Sequence, residues 1–313
     1  MKNRRLTKSI LALVAIAVLT VPPFAHGAEG GYSNYVPGTY GDFGMALAPT
    51  ETWTLRNDLY YYDASTDLSL RSENLELGAD LNFLMNFTTL LYNPDVEVFG
   101  AQFAAGVFVP LVDLDIDTSL SVGDRIISAS DSATGLGDIL LIPFALYWNS
   151  GNIHTSFAQF IVTPTGEYST GNLINSGLNY WSFDTNFALT HLNPETGREF
   201  SFNIGHIYNT KNTDTDYQTG RELHLDVVFN QYFSETFAAG VHAFYLNQIT
   251  GDSGSGAVLG DFKAEAAGIG PALLWTKKMG SQEVSFIAKW MHDFHAENRL
   301  EGDHFFLSFA LDW

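Results

Sequence analysis

The last ten residues alternate. Phe305, Leu307, Phe309, Leu311 and Trp313 fall on one face of an extended chain, and His304, Phe306, Ser308, Ala310 and Asp312 on the other. Apolarity of period two marks a strand with one greasy side and one wetter side. As a free edge in water, a terminal strand this apolar would template aggregation. As the last strand of a closed barrel in lipid, its greasy face meets a matching solvent and no edge stays open.

The other end of the chain fits export. Lys2, Arg4, Arg5 and Lys8 precede an apolar run from Ile10 to Val21, and Ala25 and Gly27 stand where a signal peptidase prefers small residues. That run is about 12 residues long, short of the roughly 20 a spanning helix needs, so residues 1–27 read as a cleaved secretory signal. Cleavage takes four bases and no acid from a chain of 15 Lys+Arg and 35 Asp+Glu at −20, leaving a mature charge of about −24. Such a chain repels nucleic acid, and no basic patch argues otherwise. The chain has no cysteine, which removes disulfides, thiolate nucleophiles and thiolate metal sites.

Beyond the signal no window holds 18 consecutive apolar residues, so helical spans are excluded. Twelve strand-like segments follow instead: 51–63, 71–91, 97–121, 135–149, 152–163, 179–191, 199–209, 221–233, 236–250, 263–277, 283–295 and 302–313. Their connections alternate. Short ones (Asn93-Pro94, Ser150-Gly151, Asn193 to Gly197, Ser234-Glu235 and Met279 to Gln282) take turns with long polar ones at 64–70, 122–134, 164–178, 210–220, 251–262 and 296–301. Tight turns at one end and long loops at the other are the pattern of a bacterial outer-membrane barrel, with both termini in the periplasm. Aromatic residues make up 14% of the chain, a surplus that girdles at the two lipid–water interfaces would use. The fold class predicted is therefore all-β, an up-and-down antiparallel transmembrane barrel of about twelve strands over residues 51–313. Outer-membrane lipid and the barrel-assembly machinery are the expected partners. The terminal series Phe305, Leu307, Phe309, Leu311 and Trp313 resembles the signal that machinery recognises.

Two faces of different chemistry set the expected interior. Segment 221–233 places Leu223, Leu225, Val227, Phe229 and Phe233 against Glu222, His224, Asp226, Asn230 and Tyr232. A charge on the lipid face costs about 2–4 kcal/mol near the midplane, so the polar set belongs in the lumen. Glu222, His224, Asp226, Lys289 and Asp293 are the pore-lining candidates, and so acidic a lumen disfavours anions. Phe244 and Leu246 fall on the nominal inner face of 236–250, as a register error or as part of a greasy passage. Residues 28–50, rich in glycine and tyrosine without strand alternation, read either as a lumen plug or as a periplasmic leader.

Other polar groupings have plainer readings beside their functional ones. His292, Asp293 and His295, with Glu297 and His304 nearby, have the composition of a metal site or a hydrolytic rim. Regular alternation sends His292 and Asp293 to opposite faces and His295 to that of Asp293, and no serine partner is identifiable, so solvated rim residues are the simpler account. Asp214 and Asp216, and Asp252 and Asp261, lie in loops without the ordered ligand series of a calcium site. Gly135 and Gly137 lack GxGxxG spacing and a following helix, so they predict a bend where a loop enters a strand, with Asp138 at the lumen rim.

Several phrases in order resemble one family, the outer-membrane transporters associated with the meta-cleavage pathway of phenol degradation. They are Tyr35-Val36-Pro37-Gly38 and the Tyr60, Tyr61, Tyr62, Asp63 cluster. Then come Gly135-Leu136-Gly137-Asp138 with Pro143, Leu146 and Trp148, then Pro164-Thr165-Gly166-Glu167-Tyr168, Asn179-Tyr180-Trp181-Ser182, residues 209–220, and Gly268-Ile269-Gly270-Pro271. The resemblance spans about residues 35–313. It implies a barrel channel in the outer membrane of a Gram-negative bacterium, passing small hydrophobic or aromatic solutes by diffusion, without enzyme activity and without a cofactor. It carries over no catalytic or ligand-binding residue. The competing readings are a barrel hydrolase acting on lipid or peptide, and a structural barrel with a blocked lumen.

Overall fold

The computed structural model describes residues 33–69, 75–122, 125–258, 260–280 and 282–313; the signal segment 1–27 lies outside them. Fourteen strands run in chain order: β1 (Trp53–Ser69), β2 (Leu75–Tyr92), β3 (Glu97–Val98), β4 (Ala101–Val122), β5 (Arg125–Leu136), β6 (Leu140–Ser150), β7 (Ile153–Val162), β8 (Ser182–Asn193), β9 (Arg198–Asn209), β10 (Glu222–Ser234), β11 (Phe237–Gln248), β12 (Glu265–Met279), β13 (Gln282–Glu297) and β14 (Glu301–Asp312). All pairings are antiparallel. β1 pairs with β14 and β2 with β4, so β1, β2, β4 and β6 to β14 close a twelve-stranded transmembrane barrel. The seam is in register from Thr54 opposite Asp312 to Ser65 opposite Glu301, and Trp53 and Trp313 exchange backbone hydrogen bonds at its foot.

The outward face is apolar. Leu59, Ile204, Leu273 and Leu307 form an aliphatic band, with Phe237, Trp275 and Trp313 towards the short-turn end and Trp181, Tyr208 and Phe294 towards the other. Lipid is the solvent such a surface matches, and closure leaves the barrel wall no open edge facing it. No helix among the described residues is long and apolar enough to cross a membrane.

Two long links predicted as loops are largely strand. β1 continues to Ser69, and the 122–134 link holds β5, which pairs with β4 from Leu111 to Val122. These extensions carry polar residues on both faces, for example Asp113, Asp115 and Asp117 outward on β4, because they project past the lipid into water. Gly135 lies within β5, whereas Gly137 opens the short link into β6, at the point where β4 changes partner, from β5 to β6, which pairs with β4 over Gln102–Phe108. The Gly137 amide donates to the Pro110 carbonyl at 3.0 Å, and a Cβ there would meet Pro110 Cγ at 3.0 Å. At Gly270 the β13 backbone approaches so closely that a side chain would strike the Trp290 carbonyl. Pro271, next in line, lies opposite Val241 of β11, beside a break in the β12–β13 ladder.

Candidate functional site

The barrel interior has two unlike walls. Along β1, β2 and β4 most inward residues are apolar or aromatic, Tyr60, Tyr62, Leu81, Met85, Phe87, Val112 and Leu114 among them, with Arg56 and Asp58 of β1 as the charged exceptions. Along β8, β9 and β10 they are polar: Asp184, Asn186, Thr190, Glu199, Asn203, Glu222, His224 and Asp226, all buried. Period-two alternation aims each set inward, and the sheet's closure turns them to face one another.

Residues 33–48 lie against the polar wall as an irregular segment. The Tyr35 hydroxyl donates to Asp226 at 2.9 Å, and the Tyr40 hydroxyl to Asp184 at 2.8 Å. Backbone amides do the same: Gly41 to Asp226 at 3.2 Å, Gly44 to Glu199 at 2.9 Å, and Ala46 to the Thr190 hydroxyl at 3.1 Å. Lys289 donates to the carbonyls of Gly38 and Gly41 at 3.0 and 2.8 Å. Tyr35 stacks on the His224 ring at 4.2 Å between centroids, and Tyr40 stacks on both His224 and Phe160. Gly38 has φ +79°, a left-handed conformation that favours glycine, and a Cβ there would press on Met291 Sδ. Burial alone would raise the Asp42 carboxyl, yet the Arg56 guanidinium bound to it at 2.5 Å holds it down at about 2. Burial likewise pushes the Tyr35 and Tyr40 hydroxyls well above their usual value, and the Asp226 and Asp184 carboxylates reinforce this, so both remain donors.

All five pore-lining candidates are buried inside the barrel, and three of them meet the segment. Asp226 and Lys289 contact the segment directly, and His224 stacks on it while holding Asp184 at 3.1 Å. Glu222 accepts from Asn209 at 3.2 Å. Asp293 accepts from Gly302 N at 2.9 Å and Tyr62 at 3.2 Å, and contacts His304 Nε2 at 3.0 Å. The imidazole–carboxylate grouping read from the sequence is thus dispersed, with His292 outside the barrel against Asp303. His295 does not share the face of Asp293. A bulge at Phe294 shifts the register, so Gly268 lies opposite Asp293 but Ala267 opposite His295, and His295 turns outward.

Opposite the segment, against the apolar wall, lies an open cavity of about 280 Å³. Phe83, Phe87, Phe108, Val112, Ile142 and Phe160 form its wall, Val36 and Tyr40 close it from the segment side, and Arg56, Asp58 and Asp138 supply charge at its margins. None of the wall residues was among the sequence candidates. The available signal was the run of alternate apolar residues at 81, 83, 85 and 87 and at 108, 110, 112 and 114, which marks an apolar face without saying that it points inward.

Asp138 stands at the cavity's edge as a loop anchor. Its carboxylate accepts amides from Thr165 at 3.0 Å, Gly166 at 2.8 Å and Leu178 at 2.7 Å. Burial pushes this carboxyl above its usual range, against the pull of those three donors. The loop after Pro164 folds back there, with Gly166 against Gly177 where a Cβ has no room and Tyr168 half-buried beyond the turn. The acidic loop residues also have protein partners: Asp216 takes Lys211 at 2.7 Å and Ser255, Asp214 takes Asn179, and Asp252 takes Tyr217 and Gly220.

The sequence matches the family model described as the putative MetA-pathway of phenol degradation over residues 50–309. No curated relative matches it. Among solved structures it is similar to an outer membrane channel from Pseudomonas putida F1, at 14% identity and a TM-score of 0.65, covering 88% of this chain and 99% of that one. A FadL homologue from Pseudomonas aeruginosa aligns at 8% identity and a TM-score of 0.43, covering 92% and 98%. At these identities the first likeness speaks to the fold.

Proposed function

The chain belongs to the family of the putative MetA-pathway of phenol degradation, and from that premise we propose an outer-membrane channel of a Gram-negative bacterium that passes small hydrophobic or aromatic solutes by diffusion. The observation that carries the reading is the apolar cavity inside a barrel whose opposite wall is acidic. A water-filled pore for ions or sugars would keep polar groups along its path. Here the polar wall is taken up by residues 33–48, and the space left over is lined by Phe83, Phe87, Phe108 and Ile142. Burying an uncharged ring against such a wall gains about 25 cal/mol per Å² removed from water, while an ion gains nothing there to offset its desolvation. The segment narrows the passage, and its displacement widens it.

The test is uptake of a labelled phenol-class solute into proteoliposomes. The expected result is entry faster than into empty liposomes, with a sugar of similar size excluded. Equal rates with and without protein reject the channel. Release of fatty acid or peptide from added substrates would favour the hydrolase reading instead. Residual ion leak in planar bilayers is expected to prefer cations, because buried acids outnumber bases, and clear anion preference would contradict this account of the lumen.

A further inference from the structure

We propose that Glu265, His295 and Glu297 form a binding site for one divalent transition-metal ion of the zinc class, on the outer surface of the barrel at the long-loop end of the β12–β13 hairpin. One ligand atom from each, two carboxylate oxygens and one imidazole nitrogen, lies within 4.8 Å of the other two. Three protein ligands of this kind leave a fourth tetrahedral position open to water or to an anionic oxygen. The imidazole favours zinc-class ions over magnesium and calcium, which prefer oxygen alone.

The β13 bulge makes the site. In regular alternation His295 and Glu297 would follow Asp293 into the lumen; the extra residue, Phe294, turns both outward to join Glu265. The result sets Glu265 directly opposite Glu297, a cross-strand pairing of like charges that destabilises a sheet unless a cation lies between them. The neighbouring outer carboxylate has protein partners, since Asp303 takes the Trp290 indole at 2.8 Å and the His292 ring at 3.1 Å. Glu297 has no protein donor among the described residues, and His295 Nε2 lies 3.6 Å from Glu265 Oε1, an ion-pair contact longer than a hydrogen bond. Glu265 is oriented from behind: the Tyr245 hydroxyl donates to its Oε1 at 3.0 Å, and Asn247 donates to that hydroxyl at 2.9 Å. Such supporting shells are characteristic of metal sites.

The experiment is a competition titration of tag-free, refolded full-length barrel in detergent, with Zn²⁺ against a chromogenic chelator. One equivalent is expected to bind. His295→Gln and Glu297→Gln should each weaken binding about tenfold or more, while His292→Gln leaves it unchanged. Glu297→Gln removes the like-charge pairing, so without metal it is expected to melt no lower than the parent. Loss of binding in that variant is then separated from loss of fold. Zinc should raise the melting temperature of the parent and not that of the double variant. Parent binding no tighter than that of His295→Gln/Glu297→Gln, or displacement of zinc by equimolar magnesium, would overturn the assignment.

Discussion

Lys289 illustrates how an inward charge is used in this barrel. Its ammonium is buried, and its donors go to the carbonyls of Gly38 and Gly41, with the Phe306 ring 4.5 Å from Nζ. Lys289→Met should therefore loosen residues 33–48 without disturbing the wall. The chain lacks cysteine, so a nitroxide on Val36→Cys reports that segment alone. Its spectrum is expected to be immobilised in the parent and to sharpen in Lys289→Met; an unchanged spectrum would mean that the lysine does not hold the segment. The Asp42–Arg56 pair gives a pH dependence of definite sign. A carboxyl held at about 2 contributes stability that is fully present above its ordinary value near 3.8 and is lost as pH falls through 2. The same label should stay immobilised from pH 7 to about 4 and gain mobility only below that. That Glu222, His224 and Asp226 point inward was legible in the sequence, because alternation alone fixes it. Their partners were not, since Tyr35 and Asp226 meet across 191 residues and no local pattern encodes such a contact.

Strand β14 is the clearest case of an element written for its surroundings. Leu307 sits mid-strand on the outer face and is 59% exposed, whereas Ser308 beside it points in and donates to Asp58. Leu307→Arg is expected to cost about 2–4 kcal/mol in urea titrations of the barrel in lipid vesicles, the range for a base near the midplane. No loss of stability would mean that this face does not meet lipid. The twelve wall strands were readable because each is an extended apolar-rich segment bounded by turn or loop residues, most of them with one apolar stripe at period two. β5 was not, because its sequence from Arg125 to Leu136 has polar and small residues on both faces, as a ribbon standing in water does. Residues 116–131 should thus be dispensable for closure. Their deletion is expected to leave a folded barrel band on unheated gels, and loss of that band would place the ribbon in the barrel's folding core. The bulge at Phe294 is the reverse case, a single residue that strict alternation misplaces and that redirects two side chains after it.

Across the molecule, the proposed function rests on the lumen's two-sidedness. The polar wall of β8, β9 and β10 binds a segment of the same chain through carboxylates, amides and stacked rings, and the apolar wall of β1, β2 and β4 is left facing open space. Closure and strand number could be read from the order of short and long connections. The cavity could not, because it exists only once strands far apart in sequence face one another across the segment. Its chemistry makes a direct demand on the wall residues. Phe108→Asp and Ile142→Asp, each introduced into the folded barrel and reconstituted into liposomes, place a carboxylate in the proposed path while the segment's anchors remain. The account expects uptake of a labelled aromatic solute to fall to the rate of empty liposomes in both variants; uptake at the parent's rate would contradict it.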